Sequence, residues 1–391
     1  MNAYIIDGYR SPVGKAPKGV FRFTRPDDLA AEVIKHLLSK VPSLDPTRVD
    51  DIIVGNAVPE AEQGMQMARY ISLLALGKTV PGITINRYCG SGVEAIAMAA
   101  GKIAAGMADC IIAGGTESMS MVPTTGFKTA LNYNIASNNP DYYVGMGLTA
   151  ENVAQKYQIG RGEQDEFAYQ SHQKALNAQK EGYFDSGIVP ITVKETYFDA
   201  ESGKKKTREY TVAKDEGPRA DTSREALAKL KPVFSAGGSV TAGNSSQTSD
   251  GAAFVIVMSE RLMKELGLNP IARMMAYAVA GCEPSLMGIG PVFAVPKALT
   301  QAGLKLADID QIELNEAFAS QSLAVVKELG IDPAKLNPNG GAIALGHALG
   351  STGARLSVQL FNEMRRRNQK YGMVTACVGG GQGVAGIYEL L

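Results

Sequence analysis

Two thiols, an imidazole and a carboxamide stand in four short segments of this chain, all rich in glycine or small residues. Cys89 opens the run Cys89-Gly90-Ser91-Gly92, where an apolar strand gives way to a helix of small residues. A thiol at a helix start meets unpaired N–H groups and the positive end of the helix dipole, and both favour the thiolate, the reactive form. The glycines after it let a substrate carbonyl come close to the backbone. The other segments are Asn315-Glu316-Ala317-Phe318, the run from Gly340 to His347, and Cys377-Val378-Gly379-Gly380-Gly381-Gln382-Gly383. Taken singly each has a plain reading, Cys89 as a small buried hydrophobe and His347 as a satisfied core histidine.

The elements that must position these residues alternate. The opening reads β-α-β-α-β-α-β, with strands expected at Tyr4–Ile6, Asp51–Val54, Ile83–Ile85 and Cys110–Ala113, and apolar residues Leu29, Val33, Ile34, Leu37 and Leu38 at helical spacing between the first two. Strands alternating with helices predict a mostly parallel α/β sheet. The last third repeats the grammar, with strands at Ile271–Ala276, Gln311–Leu314, Met373–Ala376 and near Val384–Leu390. The segment from Asp50 to Ala57 lines up with that from Asp310 to Ala317, a sign of duplication. Residues 119 to 246 differ in character, and their basic run Lys204-Lys205-Lys206-Thr207-Arg208 reads as a solvated hairpin or loop. The buried strand Gly251–Met258 follows, so this insert interrupts the first half before its last strand.

The stretch from Gly92 to Met107 is apolar on every side, with Glu94 and Lys102 its only charges, and must be buried on every side. Gly346–Ser357 is similar. Two such helices predict two sheets sharing a central helical layer, with Cys89 opening one helix and His347 the other. The three C-terminal segments follow or flank strands, and loops at the carboxyl ends of strands are where open α/β sheets place ligands.

Composition narrows the classes. The 391 residues suffice for two or three domains. Lysine plus arginine (39) equals aspartate plus glutamate (39), so no global field draws nucleic acid or an anionic membrane. No apolar run approaches a membrane span, the first strand leaves no room for a signal peptide, and Tyr388-Glu389-Leu390-Leu391 is no peroxisomal address. Four cysteines without metal-ligand or disulfide spacing suit a reducing compartment, and the expected location is cytoplasmic with no metal. Cys110 and Cys282 read as structural, and His36 and His172 as solvated.

Four motifs in order now carry a resemblance: the chain is similar to the thiolases, which cleave 3-oxoacyl-CoA or condense two acyl-CoA molecules. Asp7-Gly8-Tyr9-Arg10-Ser11-Pro12, Gly114-Gly115-Thr116-Glu117-Ser118-Met119-Ser120, Met146-Gly147-Leu148-Thr149-Ala150-Glu151-Asn152 and Thr241-Ala242-Gly243-Asn244-Ser245-Ser246 extend it over effectively the whole chain. The resemblance implies duplicated β-α-β-α-β-α-β-β halves in a five-layer αβαβα sandwich. Residues 1–118 plus 247–269 would form one half, 270–391 the other, and 119–246 an inserted loop domain for coenzyme A.

It also implies roles. Cys89 would carry the acyl group as a thioester, exchange between thioesters being nearly isoenergetic and thiolate strongly nucleophilic. His347 would activate it, and Cys377 would act as acid and base. The N–H of Gly379 would join that of Cys89 in one oxyanion hole, and Asn315 would hold a water that forms the other with His347. Ser246 would contact the pantetheine, Arg219 would lie near the adenine, and Met146, Met287 and Phe318 would shape the acyl pocket; as bare residues, the surface arginine and core side chains are the alternatives. Coenzyme A enters as co-substrate, with no permanently bound cofactor, and the resemblance implies a homodimer or homotetramer with room for a hydratase/dehydrogenase partner subunit. Two departures stand out. Ala348 replaces the proline the family usually has after its histidine, where proline would pre-set the turn. Gly145 stands where the biosynthetic type tends to carry histidine, and that loop is shorter. With Ser245-Ser246-Gln247, this leans toward the degradative 3-ketoacyl-CoA thiolase rather than the biosynthetic acetyl-CoA C-acetyltransferase. A decarboxylating ketosynthase would need a histidine where Cys377 stands, and a catalytically silent acyl-CoA or lipid-binding protein would not need all three reactive side chains.

Overall fold

The computed structural model describes residues 2–391. In chain order it begins β1 (Ala3–Arg10), β2 (Gly14–Lys15), α1 (Pro26–Ser39), β3 (Asp51–Gly55), α2 (Met67–Ala75), β4 (Gly82–Ile85), α3 (Ser91–Ala104) and β5 (Cys110–Ser118). The middle holds α4 (Tyr133–Asn138), α5 (Met146–Lys156), α6 (Arg161–Lys180), β6 (Ile191–Asp199), β7 (Lys204–Val212) and α7 (Arg224–Ala228). The chain closes with β8 (Ser249–Ser259), α8 (Glu260–Glu265), β9 (Ala272–Gly281), α9 (Gly290–Ala302), β10 (Gln311–Leu314), α10 (Ala319–Leu329), α11 (Ala342–Leu345), α12 (Leu349–Arg367), β11 (Tyr371–Val378) and β12 (Gln382–Leu390). Among the described residues no helix is long and apolar enough to cross a membrane.

The main sheet runs β10-β11-β12-β9-β1-β8-β5-β3-β4. It differs from the expectation in two ways. The halves are joined rather than separate, because β1 pairs with β9 through Tyr4–Arg273 and Ile5–Ala272. It is also less parallel: only β3–β4, β3–β5 and β10–β11 run parallel. The cause is the return path. After the insert, β8 comes back antiparallel between β1 and β5, and β11 turns directly into its neighbour β12.

Strand periodicity builds the layers. On β5, Cys110 and Ile112 face α1 and α2, while Ile111 and Ala113 face α3 and α12. On β8, Phe254, Ile256 and Met258 take the first side and Val255 and Val257 the second. In the second half Val374 and Tyr388 join the central layer, and Met373, Ala385 and Ile387 pack outward with residues of α9 and α10. The result is a five-layer α/β sandwich with α3 and α12 crossing in the middle.

The duplication extends to hydrogen bonds. Asp50 Oδ2 accepts from the N–H groups of Asp109 and Cys110 at 2.7 and 3.0 Å. Asp310 Oδ2 accepts from those of Lys370 and Tyr371 at 2.9 Å each. Residues 119–246 add no strand to the main sheet, and their basic run forms exposed β7 of a separate β6–β7 hairpin. His172 departs from the expected solvated position: it is buried on α6, where its Nδ1 accepts from the N–H of Arg219 at 3.2 Å. His36 is half-buried, edge-on to Tyr9 with ring centroids 4.8 Å apart.

Candidate active site

β4 ends at Ile85, and a tight 3-10 turn, Tyr88–Gly90, carries Cys89 to the start of α3. Tyr88 takes a positive φ of 43°, a costly conformation for a bulky residue that must be held from outside. Asn86 Oδ1 accepts its N–H at 2.8 Å, and Ser91 Oγ donates to its carbonyl at 2.7 Å while accepting from Arg87 N–H at 2.8 Å. Ser91 thus clamps the nucleophile turn, a role its place in the motif did not announce. Cys89 is 6% exposed and packs with Ala57, Val58, Val122 and Leu349. Burial pushes its thiol up to about 12; the N–H groups of Gly379 and of Cys89 itself pull the other way, and the Glu117 charge adds to the rise.

Cys377 is the penultimate residue of β11, fully buried in an apolar cluster with Met287, Ala317 and Phe318. Burial, with the neighbouring thiols of Cys89 and Cys282 adding, holds it well above the ordinary thiol range. The turn behind it needs glycine, since Gly380 and Gly381 have φ of 77° and 80°. Gly379 sits at the mouth, where a side chain would meet Met146 Cε and the Tyr88 ring at 3.4 Å. Cys282 also flanks this turn, its N–H donating to Gly381 O at 2.7 Å and its thiol to Met287 O at 4.0 Å.

His347 lies two residues ahead of α12. Its N–H is held by Gln247 O at 2.9 Å and Ser249 Oγ at 3.1 Å. The ring sits between Thr352 Oγ1, 2.7 Å from Nδ1, and Asn315 Nδ2, 3.2 Å from Nε2. Asn315 Oδ1 is buried with no protein partner, an acceptor left over for a water or substrate atom. Burial, with Arg355 adding, pulls the imidazole down to about 3, so the ring is neutral at pH 7. Ala348 adopts φ −81° and ψ 100°, close to what proline imposes, so the turn forms without the ring.

Two buried carboxylates hold the frame. Glu316 accepts from Ser171 Oγ at 2.7 Å, Asn337 Nδ2 at 2.8 Å and Ile343 N–H at 3.3 Å, anchoring the loop that leads to His347. Glu117, at the end of β5, accepts from Ala57 N–H and Gly350 N–H at 2.8 Å each and from Gln63 Nε2 at 2.7 Å. It places a negative group at the first turn of α12 and ties that helix to the other half. Burial raises the pKa of both.

On the binding side, Ser246 is half-buried and its N–H donates to Ala317 O at 2.9 Å, next to the Ser245–Phe318 bridge. Phe318 meets Phe234 edge to face at 6.0 Å; Phe234 also fills the space where a side chain on Gly147 would go. Met146 and Phe234 are partly exposed while Met287 and Phe318 are buried, so this wall runs from the surface to Cys377. Arg219 stands apart from the catalytic group. Its exposed side chain pairs with Asp221 at 2.9 Å, on a loop reached from the site by the bond from Gln247 Nε2 to Gly217 O at 3.1 Å. Sequence reading missed Ser91, Glu117, Phe234, Ser249 and Thr352 as contributors. Each acts on a residue distant in the chain or around a helix turn, and only a threonine near a helix start was there to hint at the last.

The chain is also similar in sequence and fold to known proteins. A family model described as thiolase, N-terminal domain, matches residues 3–261, and one described as thiolase, C-terminal domain, matches residues 268–390. The chain is 52% identical over 389 residues to a 3-ketoacyl-CoA thiolase of Bacillus subtilis (strain 168), spanning 99% of each. It is 46% identical to the peroxisomal 3-ketoacyl-CoA thiolase A of Mus musculus, over 98% of this chain and 90% of that one. Among solved structures, the Bacillus anthracis acetyl-CoA acetyltransferase matches with a TM-score of 0.90 and 41% identity, covering 100% of this chain and 99% of that one.

Proposed function

The chain belongs to the thiolase family, and on that premise we propose that it is an acyltransferase cleaving 3-oxoacyl-CoA with coenzyme A to acetyl-CoA and a shortened acyl-CoA. The observation that supports this most is the gathering of a neutral imidazole, two buried thiols and the Gly379 amide where α3, α12 and β11 meet. Neutral His347 takes the proton of Cys89, and the thiolate attacks the 3-carbonyl. The C2–C3 bond breaks, the acyl group stays on sulfur, and Cys377 protonates the departing acetyl-CoA carbanion. Cys377 then takes the proton of incoming coenzyme A, whose sulfur attacks the thioester and expels the Cys89 thiolate, which regains its proton from His347. The N–H groups of Cys89 and Gly379 stabilise the tetrahedral oxyanions. Asn315, with its spare acceptor, holds a water that joins His347 at the enolate oxygen. Ser246 and Arg219 contact coenzyme A from the 119–246 insert, and Met146, Met287 and Phe318 line the acyl side.

The biosynthetic reading, condensation of two acetyl-CoA, uses the same residues and draws on the likeness to the Bacillus anthracis acetyltransferase. The more similar relatives named 3-ketoacyl-CoA thiolase favour cleavage. A substrate series separates the two: turnover should extend from acetoacetyl-CoA to longer 3-oxoacyl-CoA, and activity confined to the four-carbon substrate would overturn the degradative assignment. Cys89→Ala should show no acyl-enzyme by intact mass, where the parent gains the mass of the acyl group. We place the enzyme in the cytoplasm, in keeping with its four free cysteines. We propose a homodimer, supported by an apolar patch at the β4 edge of the sheet.

A further inference from the structure

We infer that the cavity between α6, α10 and residues 333–337 is a second ligand site, one that takes a carboxylate with an apolar chain. The cavity measures about 740 Å³, within the size range of small-molecule sites. None of its lining residues belongs to the clusters around Cys89 and Cys377. Its inner end is instead the group of Ser171, Asn337 and Glu316 that anchors the loop leading to His347. The cavity therefore backs that loop and is distinct from the acyl pocket.

Charge decides the ligand. Lys174 of α6 is the one cation in the lining; it is half-buried, and its Nζ makes a single hydrogen bond, to Leu336 O at 3.0 Å. Among the described residues no carboxylate pairs with it, which leaves two ammonium hydrogens for an incoming acceptor. Burial lowers its pKa, with Glu316 and Glu313 opposing and Arg367 adding; a bound anion would offset that cost. The carboxylates of the lining are already engaged. Glu166 accepts from Arg224 Nη2 at 2.7 Å and from Gln170 Nε2 at 2.8 Å, and Glu316 holds the three donors of the loop anchor. Glu163 caps the Gly160 N–H at 2.7 Å and lies some three turns of α6 away from Lys174, about 16 Å, or roughly two Debye lengths at physiological salt. Between these ends the walls are apolar, with Phe167 from α6, Leu323 from α10, and Pro333 and Leu336 from the segment that follows α10. An apolar chain is accommodated there with its carboxylate at Lys174.

The test uses the full chain and reads binding alone, so it stands apart from the acyl-transfer reading. In isothermal titration calorimetry octanoate should bind, and octylamine, with the same chain and the opposite charge, should not. Lys174→Met keeps most of the stem and removes the charge; it should weaken octanoate by about tenfold or more, the worth of one charge-assisted hydrogen bond. Ala334→Trp, at the exposed rim, fills the cavity from the side of residues 333–337 and should weaken octanoate to a similar degree. Circular dichroism checks that both variants fold. Octanoate that binds either variant as tightly as the parent is held elsewhere, the acyl pocket included, and overturns the proposal. So does octylamine binding as tightly as octanoate, or octanoate that shows no saturable binding into the millimolar range.

Discussion

The two buried histidines have opposite tasks but share one electrostatic condition. Burial, with Arg219 and Lys15 adding, pulls His172 down to about 4, against an ordinary 6.5. Between those values the unfolded chain binds a proton that the folded chain refuses. The stability tied to the neutral ring is therefore intact above about pH 6.5 and is lost as pH falls toward 4. At pH 5 this amounts to about 2 kcal/mol. His172→Gln, a site away from the chemistry, isolates it: urea titrations should show the variant gaining about that much on the parent between pH 7 and pH 5. An identical gap at both pH values would mean that His172 titrates normally when folded. At this scale the sequence was only partly legible. Motifs singled out the thiols, Asn315 and His347 as candidates, whereas His172 was misread because its polar neighbours on α6 gave no sign of the loop that covers it. Glu117 and Thr352 could not be singled out, since a carboxylate or hydroxyl acquires its role from what folds against it.

At the scale of elements, the crossing of α3 and α12 decides whether the site assembles. A Cβ on Gly353 would lie 2.3 Å from Val93 N, and one on Gly92 would lie 2.5 Å from Ala354 N. Both obstacles are backbone, so a side chain there must push the helices apart. Gly353→Ala should cost about 1–3 kcal/mol and, by drawing His347 away from Cys89, slow acyl-enzyme formation. Gly101 lies on the same α3 with nothing near its would-be Cβ. Gly101→Ala should instead stabilise by about 0.5–1 kcal/mol. Thermal melts and single-turnover acylation on the two variants check both; equal effects would refute the close-packing account. The two small-residue helices were legible because only a buried sandwich accommodates them, and the Asp50–Asp310 correspondence was legible because the same local turn recurs. Strand direction was not. Helix alternation says nothing of a strand that returns antiparallel after some 130 residues of insert, as β8 does.

The whole molecule has one open margin that matters for assembly. β4 ends the sheet and pairs only with β3. Around it Ile83, Met65, Tyr70, Leu73 and Leu74 are exposed, with Met65 at 85%. An uncapped edge with an apolar patch is a surface that a second copy can cover. The proposed dimer predicts that Ile83→Lys lowers the mass seen by sedimentation to that of one chain. A variant that remains dimeric would place the interface elsewhere.

The pairing of β1 with both β8 and β9 also sets a schedule for the nascent chain. β1 cannot acquire either neighbour until residues 249–273 have been made. At ordinary elongation rates that is a wait of roughly 10–50 s. Through that interval the apolar Ile5 and Ile6 and both margins of β1 stay uncovered, and so does the side of β5 that β8 will occupy. A strand made long before its partners is thus among the last to be secured. A pause in translation within the insert prolongs the period in which the chain most needs a chaperone.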